Sequence, residues 1–212
     1  TLPRDAEGRP LIGGIPILRR IGAGAMGAVY YAIHPRLNIE VAVKVLPFHL
    51  AAMEGRTIAR FTAEARLAAQ LESEHVVRVL DVNVEGETHY IIMQFVRGES
   101  AGTLMRRMRE SGKRGLAEEH ALRVVRAATK GLAAAHERGI IHRDVKPDNI
   151  LIPGQNLDKA KLADLGLAKP EGDKGSMGTG TAATMGTLGY MAPEQAENAR
   201  TAGAAADVFS MG

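Results

Sequence analysis

The run His142-Arg143-Asp144-Val145-Lys146-Pro147-Asp148-Asn149 sets carboxylates, cations, an imidazole and an amide side by side, and Asp164-Leu165-Gly166 follows fifteen residues after Asn149. So many polar groups cannot be buried in apolar surroundings without strict pairing, which places the run at the wall of a cleft, as a catalytic loop. A solvated charged turn would have the same composition. The loop reading is favoured by its setting between Gly139-Ile140-Ile141 and Ile150-Leu151-Ile152, short apolar β-formers that predict a buried strand on either side.

A second chemically suggestive stretch lies nearer the beginning. In Ile21-Gly22-Ala23-Gly24-Ala25-Met26-Gly27-Ala28-Val29-Tyr30 the glycines let backbone N–H groups approach phosphate oxygens with no Cβ in the way. The same G-x-G-x-x-G spacing occurs in dinucleotide-binding oxidoreductases, where a helix must follow. Here Val29 to Ile33 and Ile39 to Leu46 read as strands with Arg36-Leu37-Asn38 between them, which argues against that fold. Lys44 closes Val41-Ala42-Val43-Lys44 on the second strand. It would be an ordinary edge lysine elsewhere; beside a phosphate loop it reads as a phosphate contact.

The elements that must position these groups follow from periodicity. Residues 1 to 14 are rich in Gly, Pro and charge and predict a lead-in with little structure, after which Ile15 to Ile21 reads as a strand. Ile58, Phe61, Ala65, Ala68 and Leu71 have helical spacing, with Glu64 near the middle as an exposed acid or a partner for Lys44. Val76 to Val82 and His89 to Val96 predict two strands linked by Glu85-Gly86-Glu87. The pattern breaks at Gly98 to Gly102 and turns helical, with a short helix at Leu104 to Arg109 and a longer one at Ala117 to Arg138, whose Leu122, Val125, Leu132 and His136 point to a core. His136 reads as a packed helix residue, since no second His or Cys stands near it at metal-ligand spacing. Between Lys169 and Thr187 lies a hydroxyl-rich, weakly hydrophobic loop, followed by the more ordered Gly186 to Glu194.

Composition narrows the function classes. With 212 residues and 45% hydrophobic content the chain can bury a real core. A net charge of +3, with basic residues scattered apart from Arg106 to Arg114, falls short of a nucleic-acid footprint. No cysteine is present, which excludes disulfides and thiolate metal sites and is compatible with a cytoplasmic location. No apolar run reaches the length of a membrane span, so no membrane contact is expected of this segment, although a parent protein could carry an anchor. The chain opens on Thr1 and stops at Phe209-Ser210-Met211-Gly212 in mid-pattern, so both ends are expected to continue in a longer protein.

Taken together, the motifs resemble those of the protein kinases, specifically the bacterial eukaryotic-like (Hanks-type) serine/threonine kinases, over residues 15 to 212. The resemblance implies an α+β, bilobal fold, with a small antiparallel sheet lobe carrying one helix at 15–96 and a mainly helical lobe at 97–212, the site lying between them. It implies ATP and Mg²⁺, with Mn²⁺ as the alternative ion, and Ser or Thr hydroxyls of proteins as acceptors. Gly22, Ala23, Gly24, Ala25, Met26, Gly27 and Ala28 would cover the phosphates, and Lys44, ion-paired to Glu64, would contact them. Asp144 would orient the acceptor hydroxyl, Lys146 would touch the transferred phosphate, Thr187 would lie near both, and Asn149 and Asp164 would hold the metal. Ile21, Val29 and Ala42 would sit above the adenine and Leu151 below it, with Met93 as gatekeeper and the backbone of Gln94 and Val96 reading the base. Arg143 beside the catalytic carboxylate implies activation by loop phosphorylation at Thr179 or Thr181, in trans within a kinase dimer. A pseudokinase binding or scaffolding module is the alternative of a different class.

Two departures from the family pattern bear on this. Leu165 replaces the usual Phe after Asp164, an apolar exchange compatible with activity. Asp207 to Gly212 also coincides with the start of the family's long central helix, so the helices beneath the catalytic loop and the Arg that pairs with Glu194 are expected beyond this segment, and the segment alone is expected to be poorly soluble and little active.

Overall fold

The computed structural model describes residues 2–24, 27–46, 62–63, 65–165, 189–197 and 203–212. The chain divides into two compact units, Thr1–Gln70 with Arg78–Phe95 and Leu71–Val77 with Val96–Gly212.

The first unit is built on an antiparallel sheet of β1 (Leu11–Ile12), β2 (Ile15–Gly24), β3 (Gly27–His34), β4 (Ile39–Val45), β5 (Val79–Glu85) and β6 (Thr88–Gln94), in the order β1-β2-β3-β4-β6-β5. Strand alternation sorts its two faces. Val41 and Val43 of β4 join Ile12, Ile15, Ile17, Ala32, Tyr90 and Ile92 in one apolar cluster, which leaves Ala42 and Lys44 on the other face. Asn38, at φ 51°, and Gly86, at φ 59°, take the left-handed turn positions between β3 and β4 and between β5 and β6.

The lead-in is more ordered than its composition suggests. Gly13 and Gly14 have φ 59° and 70°, the two-residue hairpin geometry that pairs Leu11 with Pro16 and Ile12 with Ile15. The Asp5 carboxylate accepts the N–H groups of Glu7 (3.0 Å) and Arg9 (2.8 Å), closing a turn upstream. Glycines and charges that looked like disorder are turn chemistry. Gly13 also donates to Glu85 Oε2 at 2.7 Å, and a Cβ there would fall 1.9 Å from the Tyr90 hydroxyl, so only glycine fits.

One expected boundary shifts. The strand read from Val76 begins at Val79, because Val76 and Val77 are used elsewhere: Val77 N–H donates to the Leu162 carbonyl at 2.7 Å, inside the second unit. Residues 62, 63 and 65–69 are helical with Ala65 and Ala68 buried, as the spacing predicts, while Ile58, Phe61 and Glu64 lie outside the described residues.

In the second unit α1 (Ala101–Glu110), α2 (Glu118–His136), α3 (Pro193–Glu197) and α4 (Ala204–Met211) accompany a small sheet ordered β7 (Gly98–Ser100), β8 (Ile150–Pro153), β9 (Lys161–Leu162). The break at Gly98 is thus a strand start. A Cβ on Gly98 would lie 1.9 Å from the Ile152 carbonyl oxygen, so glycine permits the β7–β8 approach. Ser100 then caps α1, its Oγ accepting the Thr103 N–H at 3.0 Å.

The buried face of α2 includes Leu132 as expected but leaves out Leu122 and Val125. Val124, Ala127, Ala128, Gly131, Leu132 and Ala135 are buried, whereas Leu122 is 60% exposed and Val125 only half-buried. A face of alanine and glycine lets the helix approach closely; a Cβ on Gly131 would meet the His75 carbonyl oxygen at 2.4 Å. Weighing large apolar residues over small ones misplaces such a stripe. The helix ends with Gly139 at φ 72°, with Gly139 N–H bonded to His136 O (2.9 Å) and Ile140 N–H to Ala135 O (3.0 Å). Ile140 therefore serves a helix cap, and neither it nor Ile141 forms a strand; β8, on the far side of the polar loop, forms as expected.

Candidate active site

In the first unit, register places several of the singled-out residues on one sheet face. Lys44 pairs with Val29 on β3 and with Ile91 on β6; Ala42 pairs with Tyr31 and Met93; Gly22 pairs with Val29. Directly paired residues share a face, so Gly22, Val29, Ala42, Lys44 and Met93 lie together on the side away from the apolar cluster. Ala23 pairs with Ala28 and Gly24 with Gly27 at the end of this hairpin, and Ile21, at a register shift in β2, is 38% exposed. Lys44 is only 2% exposed, a charge kept out of water. The Gln94 N–H donates to the Arg78 carbonyl at 2.9 Å.

In the second unit the polar loop condenses into one cluster. Asp144, 8% exposed, receives Lys146 Nζ at 2.9 Å and Asn149 Nδ2 at 3.0 Å on its Oδ2, and the same Asn149 amide also donates to the Asp144 carbonyl at 2.8 Å. Val145, between them, is anchored in the apolar core with Ile150 and Ile152, so alternate residues of the loop face chemistry and core. Pro147–Asn149 makes one 3₁₀ turn that brings Asn149 back toward Asp144. Ala163 N–H donates to the Asn149 carbonyl at 2.9 Å, which sets Asp164 next to the cluster, and Leu165 is buried behind it. Leu151 is half-buried on β8 between Ser100 and Lys161.

The loop is held from beneath by groups that carry no local sequence signal. Asp207 of α4, fully buried, accepts the backbone N–H groups of His142 and Arg143, both at 2.7 Å, and contacts His136 Nε2 at 2.8 Å. Gln195 of α3 donates to the Arg143 carbonyl at 2.6 Å. Arg143 thus has both backbone groups clamped while its φ is 60°, a left-handed conformation that a non-glycine residue keeps only when neighbours enforce it. Asp164 shares that strain, at φ 59°. His142 Nδ1 accepts the Asp144 N–H at 3.3 Å, so Nε2 carries the proton and donates to the Ala163 carbonyl at 3.0 Å. Burial holds the His142 imidazole below its usual pKa, outweighing the opposing pull of Asp207, Asp144 and Asp164.

The protein kinase domain model matches residues 16–212. The chain belongs to the protein kinase family. As a kinase it resembles the serine/threonine-protein kinase PknA of Mycobacterium tuberculosis, at 39% identity over 97% of this chain and 46% of that protein. It also resembles PknF of the same organism, at 40% identity over 86% of this chain and 38% of that protein, and Pkn2 of Myxococcus xanthus, at 36% over 95% and 24%. The chain thus spans about half the length of PknA, 46%, and less of the other two. Among solved structures, the Mycobacterium tuberculosis PknI kinase domain superposes with a TM-score of 0.72 at 28% identity, over 95% of this chain and 72% of that one.

Several kinase residues named from sequence lie outside the described positions: Ala25, Met26, Glu64, Gly166, Thr179, Thr181 and Thr187. Among the described residues, Asp207 and Gln195 hold the backbone of the polar loop at His142 and Arg143. Sequence reasoning missed both, since each acts on a loop more than fifty positions away. His136, read as a packed helix residue, is in addition a partner of Asp207.

Proposed function

We propose that this chain is the catalytic portion of an ATP-dependent protein kinase that transfers the γ-phosphoryl group of ATP to Ser or Thr hydroxyls. The observation that carries this reading is the Asp144–Lys146–Asn149 cluster. A carboxylate whose orientation is fixed by a lysine and an amide can receive an acceptor hydroxyl in one pose, while the lysine ammonium offsets charge on the transferred group. Phosphoryl transfer needs little more from a protein than such positioning and electrostatic stabilisation.

Family membership implies ATP and a divalent cation. The donor chemistry fits Mg²⁺: the Asn149 amide nitrogen is committed to Asp144, so its Oδ1 is the atom that would join the Asp164 carboxylate as a hard oxygen ligand. Among the described residues no group of three or more His, Cys, Asp or Glu could hold a metal by itself. Bound there, the ion would neutralise triphosphate charge. On the first unit, Gly22, Ala23, Gly24, Gly27 and Ala28 would cover the phosphates with Ala25 and Met26, and Lys44 would contact them, paired to Glu64. Ile21, Val29, Ala42 and Leu151 would enclose the base. Because the Gln94 N–H is used by Arg78, Gln94 would read the base through its carbonyl, and Val96 through its N–H. Autophosphorylation at Thr179 or Thr181, with Thr187 near the acceptor, belongs to the same proposal. Among the described residues no helix is long and apolar enough to cross a membrane.

The decisive experiment compares the full-length protein with its Asp144→Asn variant in transfer of labelled phosphate from ATP to itself and to a threonine-containing peptide library. Incorporation should fall by roughly 10² or more in the variant. Equal incorporation in both would refute the assignment.

A further inference from the structure

Asp148 is the second carboxylate of the catalytic loop, and the chemistry outlined above makes no use of it. It is half-exposed, with side-chain accessibility of 50%, and Arg106 Nη1 of α1 lies 2.9 Å from its Oδ1. The contact is built in. Gly102, in the first turn of α1, lies so close that a Cβ would fall 2.4 Å from the same oxygen, and Arg106 is steadied by a second bond, Nη2 to Thr103 Oγ1 at 3.0 Å. One residue along, Arg107 takes Glu99 at 2.5 Å. Asp148 and the half-buried Glu99 are therefore each paired with an arginine from one helix.

Position gives this pairing a consequence. Asp148 is four residues from Asp144 across a 3₁₀ turn, so the Cα atoms of the two lie within about 14 Å of each other, a span of roughly four residues of an extended peptide. Side chains flanking an acceptor Ser or Thr held at Asp144 come within reach of this surface. A basic side chain arriving there finds Asp148 and Glu99 already neutralised and meets the run Arg106, Arg107, Arg109, Lys113 and Arg114. An acidic one finds guanidinium groups with donors to spare, since each has five N–H and is held in place by its internal partner. As a purely structural tie an exposed pair of this kind contributes little to stability, which leaves recognition as its larger effect.

We propose that Arg106 and Arg107, set by Asp148 and Glu99, are specificity-determining residues that select acceptor sequences carrying an acidic side chain within about four residues of the phosphorylated Ser or Thr, and disfavour basic ones. This rests on the kinase reading above.

The test uses the full-length protein, ATP and a positional-scanning peptide library with a fixed central Thr and Asp, Ala or Arg at each flanking position. Wild type should favour Asp over Arg at one or two positions by about three- to ten-fold in kcat/KM, the scale of one charge-assisted contact. Arg106→Glu should erase or invert that ratio, mainly through KM, while kcat on the Ala peptides and the thermal midpoint stay near wild type. An Asp-to-Arg ratio that is the same in wild type and Arg106→Glu would overturn this inference while leaving the kinase assignment intact. Absence of transfer to every library member would overturn the kinase reading and this inference with it.

Discussion

The Asp207 carboxylate accepts the backbone N–H of Arg143 at 2.7 Å, and Arg143 is the residue held at φ 60° immediately before Asp144. A residue on the last described helix thus helps fix the backbone from which the Asp144 carboxylate projects. Removing it with Asp207→Ala strands two buried N–H groups and frees a strained residue. The expected loss is about 2–4 kcal/mol of stability, read by urea denaturation. Phosphoryl transfer should drop by about 10²-fold at temperatures where the variant is still folded.

A pH effect follows from His142. Its folded-state pKa lies below the ordinary 6.5, because burial opposes the charged form. The unfolded chain therefore binds a proton where the folded one does not, and stability depends on pH in that window. The contribution is fully present above pH 6.5 and is lost as pH falls from 6.5 toward the depressed folded value. Denaturation midpoints measured in steps below pH 6.5 should decline, and the decline should be shallower in His142→Tyr, which cannot take up that proton.

Gly131→Ala sets two effects against each other. Helix propensity favours alanine in a helix interior by about 1 kcal/mol. Against that, the new methyl would meet the His75 carbonyl oxygen at 2.4 Å, a backbone atom that cannot swing aside. Overpacking of this kind costs about 1–3 kcal/mol, so the clash wins and the variant should be less stable by urea titration.

The lead-in offers a further check. Ile12, 2% exposed, belongs to the apolar cluster of the first unit. Ile12→Ala should cost about 2–4 kcal/mol by the usual loss on truncating a buried aliphatic. A change within a few tenths of wild type, in the same denaturation assay, would mean that residues before Ile15 are not part of the folded unit.

Much of the geometry of the candidate site was legible in the residues themselves. Asp144, Lys146 and Asn149 stand within six positions of one another, and a single 3₁₀ turn suffices to bring them together, so local spacing already implied their cluster. Lys44 and Ala42 were legible for a similar reason, since strand alternation alone puts them on the face opposite Val41 and Val43. The helical pattern through Ala65 and Ala68 and the turn at Gly86 were equally local.

What was not legible depended on partners distant in the chain. The core face of α2 could not be read from large apolar residues, because Gly131 and its alanines are buried by the closeness of the His75 backbone. Ile140 looked like a strand residue, but its N–H is taken by Ala135 in a helix cap. Composition, motif order and local periodicity determined the family and the chemical groups available. Tertiary structure alone decided that Asp207 and Gln195 clamp Arg143 and that Arg106 occupies Asp148, since a buried carboxylate or an ion pair is defined by which distant groups fold around it.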